Sequence, residues 1–291
     1  MRQIVQSSVL AVLFIGQVAA ADQIVTLHSR GDTAVFDSGP DGGFTSFTLD
    51  GVNQLDFLGY FFRIGSDGGE ASIQSLNDVE FTNAIGEPLG PSDVTSTINV
   101  FYSDPNLPFR VRWLQAIAGT GFFSTGAFSD SVIVTNEGTA DLDLHLFQFV
   151  DLDLGDSSID ASISLERTPT RSFINGEQEA AEDSALEAYL SPSGNSEGNG
   201  FTFVTPTHFT VGLADQILSD LEDNQPTALS DFGGPITNGD LAYAFQWDIL
   251  LPPGESRAVG THLSINVPEP SSISVLLILF CILVKGKRDA L

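Results

Sequence analysis

The sequence predicts an all-β protein: a large antiparallel β-sandwich carrying one or two short helices. Apolar and polar residues alternate with period two along many short runs. Asp-Gly and Asn-Gly pairs punctuate those runs at 41–42, 50–51, 67–68, 199–200 and 238–239. The 291 residues also include 28 Gly and 14 Pro, a supply of turn formers that suits many short strands. Hydrophobic residues make up 42 % of the chain, enough to bury a sizeable core at this length.

The first 21 residues read as a secretory signal peptide. Arg2 supplies the basic start, Val9–Ile15 the short apolar stretch, and Val18-Ala19-Ala20-Ala21 the small residues that a signal peptidase needs. Cleavage is expected after Ala20 or Ala21, with export through the Sec machinery. Residues 22–266 then form the exported body, and they hold seven arginines, no lysine and 36 acidic residues. Such a surface repels nucleic acid, whose recognition requires a basic face to displace counterions.

Within the body, the clearest strands run through Val94, Ile98, Val100 and Tyr102, through Phe109, Val111, Trp113 and Ile117, and through Leu241, Tyr243, Phe245, Trp247, Ile249 and Leu251. A further strand over Asp141–Leu154 carries Leu142, Leu144, Leu146, Val150, Leu152 and Leu154 on one face. Asp141, Asp143, His145, Phe147, Phe149, Asp151 and Asp153 occupy the other. Two segments read as helical: Leu213, Ile217, Leu218 and Leu221 at helical spacing before Pro226, and the Ala/Glu-rich stretch Glu177–Leu190 before Pro192. Ser191–Gly200 reads as a surface loop, and one sandwich accounts for the strands on both sides of it.

Candidate chemistry is sparse. Asp151, Asp153 and Asp156 are the proposed ligands of a Ca²⁺ ion, because that cation takes hard carboxylate oxygens. No other cofactor is expected. Gly194-Asn195-Ser196-Glu197-Gly198 has the letters of a nucleophile elbow but not the preceding strand and following helix, and reads as a linker. The histidines at 28, 145, 208 and 262 lack metal-ligand spacing, and His145 and His262 fall on polar strand faces where water is the expected partner. A lone cysteine, Cys281, excludes an intrachain disulfide and clusters held by several cysteines.

Residues 267–291 form a second address. Pro268, Glu269 and Pro270 precede the largely apolar run Ile273–Val284, and Lys285, Lys287 and Arg288 close it as a basic stop. As a helix the run reaches about 18 Å against a hydrocarbon core of roughly 30 Å, a short membrane span whose basic end stays in the cytoplasm. This order of parts resembles the PEP-CTERM sorting signal. The resemblance implies a Gram-negative source, a transient inner-membrane stage, processing by an exosortase, and delivery to the cell surface or extracellular matrix. Leu58–Gly65, Phe147–Leu154 and Phe245–Asp248 are similar to stretches of secreted PEP-CTERM proteins without assigned activity.

These readings lead to an expected role as a non-enzymatic envelope or matrix protein, with exopolysaccharide as a candidate partner. The alternative is a calcium-supported carbohydrate-binding module, and the third reading is a secreted polysaccharide hydrolase. The tail yields the first testable expectation. Protein recovered from the cell surface should end near Pro268–Pro270, and replacing those three residues with alanine should trap the precursor in the inner membrane. Mass spectrometry decides it, since a peptide containing Leu276–Val284 shows an uncleaved anchor.

Overall fold

The structure is a computed structural model. It describes residues 23–29, 32–49, 51–81, 95–119, 125–154, 160–167, 174–180, 185–189 and 202–266. The signal peptide, the sorting tail with its apolar run 273–284, and the loop holding Gly194–Gly198 lie outside the described residues. Among those described, no helix is long and apolar enough to cross a membrane.

The chain opens with β1 (Ile24–Ser29), β2 (Asp32–Asp37), β3 (Gly43–Leu49), β4 (Val52–Asn53), β5 (Phe57–Ile64), β6 (Ala71–Ser72) and β7 (Asp78–Phe81). It continues with β8 (Thr95–Ser103), β9 (Phe109–Gly119), β10 (Thr125–Asn136), β11 (Leu142–Asp151), β12 (Asp160–Arg167), β13 (Ile174–Ala180) and β14 (Ala185–Tyr189). After β15 (Thr202–Phe203) and β16 (His208–Leu213) come the helix α1 (Ala214–Glu222), β17 (Ile236–Gly239), β18 (Leu241–Leu251) and β19 (Ser256–Asn266).

These strands form two sheets. The first runs β1-β2-β3-β5-β11-β18-β16, with β4 on β3 and β6 on β5. The second runs β17-β12-β13-β14-β19-β10-β9-β8-β7, with β15 beside β19. The pairing is antiparallel except for the two-residue β15, which runs parallel to β19. The all-β sandwich expected from the alternation is therefore the observed architecture.

The alternating residues meet between the sheets. Leu241, Tyr243, Phe245, Trp247, Ile249 and Leu251 of β18 lie in the same core as Phe109, Val111, Trp113 and Ile117 of β9. Trp113 sits edge-on to Phe36 at 5.4 Å and to Tyr60 at 5.1 Å, so one indole of the second sheet is held by two rings of the first. Gly126 marks a close approach of the two sheets, since a Cβ there would fall 2.2 Å from Leu49 Cδ2. One edge of the sandwich is closed by the segment before β17. Phe232 O accepts from Val211 N of β16, and Gly233 O accepts from Leu165 N of β12, so the segment ties one sheet to the other.

The expected helix over Glu177–Leu190 is not there. Of those residues, 177–180 belong to β13 and 185–189 to β14, two antiparallel strands that lie between β12 and β19 in the sheet. Ala and Glu favour a helix by only tenths of a kcal/mol per residue, roughly 0.5 or less. Two flanking strands offering complete ladders outweigh that preference. The second expected helix is α1, with Ala214, Ile217 and Leu221 buried.

At the centre of the core lies a carboxylic acid. Asp130 Oδ2 accepts from Tyr60 at 2.8 Å and from Gln148 Nε2 at 3.1 Å, and its other oxygen accepts from Thr261. Burial pushes the Asp130 carboxyl up to about 6, although these hydrogen bonds act against the rise. Burial and the neighbouring Asp130 also raise the Tyr60 phenol, which remains a donor.

A carboxyl raised by folding binds its proton more tightly in the folded than in the unfolded chain. Its contribution is complete below the unfolded value near 3.9 and is lost as pH rises through about 6. The two-unit difference corresponds to roughly 3 kcal/mol. Urea unfolding at about pH 5 and about pH 7.5 should show about half of this loss in the wild type, and Asp130→Asn should remove most of the difference between the two. An identical pH dependence in both proteins would contradict it.

Candidate functional site

The outer face of the first sheet is divided in two. At one end Phe61, Phe147, Phe149, Ala242 and Ala244 are covered by α1 and Leu229. The small residues of β18 let the helix sit close to the sheet, and the phenylalanines of β5 and β11 supply the buried area. Beyond this cover the same strands present Arg63, His145, Gln246 and Asp248, and β16 adds His208. The apolar cover ends and a polar cluster begins on adjacent rows of one sheet.

Asp248 is the hub of that cluster. Its Oδ1 accepts from His145 Nδ1 at 2.6 Å and from Gln246 Nε2 at 2.8 Å, while its Oδ2 accepts from Thr207 Oγ1 at 2.8 Å. His208 Nε2 lies 3.6 Å from the same Oδ2, and His208 Nδ1 bonds Asp231 at 3.0 Å. Partial burial works to raise the Asp248 carboxyl, but hydrogen bonds from Gln246, His145 and Thr207, with the nearby His145 imidazole, hold it below the usual carboxylate range. Asp248 is thus anionic at neutral pH.

The two imidazoles differ in access. His145 is 16 % exposed, and its Nε2 is buried without a hydrogen-bond partner among the described residues, 3.8 Å from Asp143 Oδ1. His208 is 40 % exposed and lies between the carboxylates of Asp231 and Asp248. Phe232 follows Asp231, bridges Thr210 of β16 and is half exposed, and Leu250 is exposed two residues beyond Asp248. Open imidazole, carboxylates and apolar surface therefore occur together.

Beneath this cluster lies a buried ion pair. Arg63 bonds Glu70, with the two side chains 7 % and 0 % exposed. Arg63 also donates to the carbonyl oxygens of Gly65 and Thr227 and lies over the Phe147 ring at 5.8 Å. Thr227 N donates to Glu70 Oε1, and Leu229 N donates to Gln246 Oε1. The segment leading to Asp231 is thereby fastened to β5 and β18 from below.

This fold is similar to part of a bacterial glucoamylase solved with acarbose. The TM-score is 0.51 and the identity 8 %, over 88 % of this chain and 35 % of that one. The chain spans about a third of the glucoamylase's length. It is also similar to a galactose mutarotase related enzyme from Lactobacillus acidophilus (TM-score 0.48, 7 % identity, 85 % of this chain and 99 % of that one). A galactose mutarotase-like protein from Lactobacillus casei gives 0.42 and 11 %, over 84 % and 100 %. No family model and no curated protein matches the sequence.

What is shared at these identities is the fold. The glucoamylase is an enzyme that carries this architecture, and that finding counts against the expectation of a non-enzymatic envelope or matrix body. Spacing along the chain could not show the cluster, because β5, β11, β16 and β18 meet only in the folded sheet.

The calcium candidates fall elsewhere. Asp151 ends β11 on its outer face and is buried, with its carbonyl accepting from Asp56 N. Asp153 lies just past the strand, half-buried, and Asp156 is outside the described residues. Among the described residues no group of three or more His, Cys, Asp or Glu side chains is arranged to hold a metal ion. The sorting residues Pro268, Glu269, Pro270, Lys285, Lys287 and Arg288 also lie outside them. The histidines expected to meet water have protein partners: His145 bonds Asp248, and His262 Nδ1 lies 2.6 Å from Ser129 Oγ on the second sheet.

Removing one member of the buried ion pair leaves the other charge uncompensated. Glu70→Ala should cost about 3–5 kcal/mol in urea unfolding and speed hydrogen exchange at the Thr227 amide. Combining Arg63→Met with Glu70→Leu should recover most of that stability. A Glu70→Ala protein as stable as the wild type would show that the pair does not hold the segment.

Proposed function

We propose that the protein is carbohydrate-active, with acid–base chemistry at the anomeric centre of a saccharide bound on the outer face of the first sheet. The observation that carries this is the exposed His208 imidazole held between the carboxylates of Asp231 and Asp248. Imidazole is the side chain suited to giving and taking protons near neutral pH. An anionic carboxylate beside it stabilises the imidazolium that forms when it takes one.

His208 and Asp248 are the groups that would touch the reacting atoms. His145 acts on Asp248 and is a positioning residue, since its free nitrogen is buried. Opening or cleaving a bond at the anomeric carbon requires one proton to leave a hydroxyl or water and another to reach the departing ring or glycosidic oxygen. A proton carrier beside a fixed anion supplies both transfers without a redox partner. The half-exposed Phe232 offers an apolar face of the kind that stacks on sugar rings. The fold shared with the glucoamylase agrees with this reading.

Binding without turnover is the second reading, favoured by the exposed Phe232 and Leu250 that flank the cluster. Purified protein titrated with mono- and oligosaccharides should show shifts in the His208 ring signals by NMR. Anomer interconversion should be followed by polarimetry, and release of reducing ends from polysaccharides by a colour assay. Turnover that falls at least tenfold in Asp248→Asn and His208→Ala establishes the enzyme. His208 shifts without turnover establish a binding protein, and neither response across the panel refutes a carbohydrate site here. Repeating the titration in Ca²⁺ and in EDTA tests the role of Asp151, Asp153 and Asp156.

A further inference from the structure

Gln115 of β9 points into the sandwich between Trp113 and Ile117, both core residues on the same strand face. It is 3 % exposed, and neither its amide nitrogen nor its amide oxygen has a hydrogen-bond partner among the described residues. The β9–β10 register places it directly across from Asp130. From the opposite sheet, Gln148 gives its Nε2 to Asp130 Oδ2 at 3.1 Å and to Thr261 Oγ1 at 3.0 Å. The remaining Gln148 atom, Oε1, also has no partner among the described residues, and neither has Trp113 Nε1, two residues from Gln115. Two amides from opposite sheets thus flank one carboxyl group and leave a donor and two acceptors unused.

We propose that the interior of the sandwich binds an ordered water molecule between Gln115, Gln148 and Asp130. A primary amide enclosed by rings and aliphatic chains bears the full cost of leaving solvent unless its groups are bonded again. Native interiors leave few such groups unsatisfied, and buried water is the usual partner where direct bonds cannot reach. The chemistry of this site matches one water. The molecule accepts from Gln115 Nε2, donates to Gln148 Oε1, and gives its second proton to Asp130 or to Gln115 Oε1. Aliphatic ligands do not fit this donor and acceptor set, and an anion would face Asp130. The bound water joins β9 to β11 across the sandwich and becomes part of the contact that aligns the two sheets.

A crystal structure of the wild-type protein, at a resolution that shows ordered solvent, tests the proposal directly. Density within hydrogen-bond distance of both Gln115 and Gln148 is the expected result. Well-ordered side chains with no solvent density between them would overturn it. Gln115→Met supplies an independent reading by sign. If the water is bound, the apolar side chain removes one of its partners and lowers the urea midpoint. If Gln115 is an unpaired amide, the same change relieves its desolvation and raises the midpoint, which would reject the site.

Discussion

The hydrogen bonds around Asp130 govern how the two sheets lie on each other. Apolar packing between sheets is nearly indifferent to small sliding, because it depends on area and not on direction. The contacts from Tyr60 on β5, Gln148 on β11 and Thr261 on β19 to one carboxyl group on β10 are directional, and they join both sheets. A slip of either sheet would leave a buried carboxyl without its donors, at a cost that apolar contacts alone do not impose. The edge-on contacts of Trp113 with Phe36 and Tyr60 then fill the space around this point.

That alignment also decides what the outer face can do. With Tyr60 and Gln148 turned inward, their neighbours Phe61 and Phe147 must face out, and α1 covers them. Arg63, two residues after Phe61, and His145, two residues before Phe147, fall beyond the helix. The guanidinium is neutralised there by Glu70, while the imidazole is oriented by Asp248. A buried ion pair is a weak source of stability, but it fastens the segment that brings Asp231 to His208. The open part of the cluster is accordingly rich in carboxylates and has His208 as its exposed imidazole.

Much of this fold was legible in the residues. The six alternating apolar positions of β18 and the four of β9 are all core positions, and the spacing of Ile217 and Leu221 marks a true helix. The misreading of 177–190 has a plain cause, since helix propensity is weak and β19, which pairs with β14, is distant in sequence. On β11, Phe147 and Phe149 shared a face with aspartates, a sign that something covers that end of the strand. His145, two residues before Phe147, stood at the border of the cover, but its partner Asp248 is 103 residues away.

By itself the sequence determined the sandwich, most core positions, the acidic composition and the helix α1, because each follows from local periodicity or composition. Tertiary structure alone decided which polar residues become chemistry. Asp130 is one acid among 36 in the body until folding places it between the sheets. His208 is an ordinary strand-end residue until Asp231 and Asp248 reach it from separate segments. Periodicity reports which face a side chain occupies, since that is a property of the backbone repeat. Its partners are set by strand order and register, which depend on contacts across the whole chain.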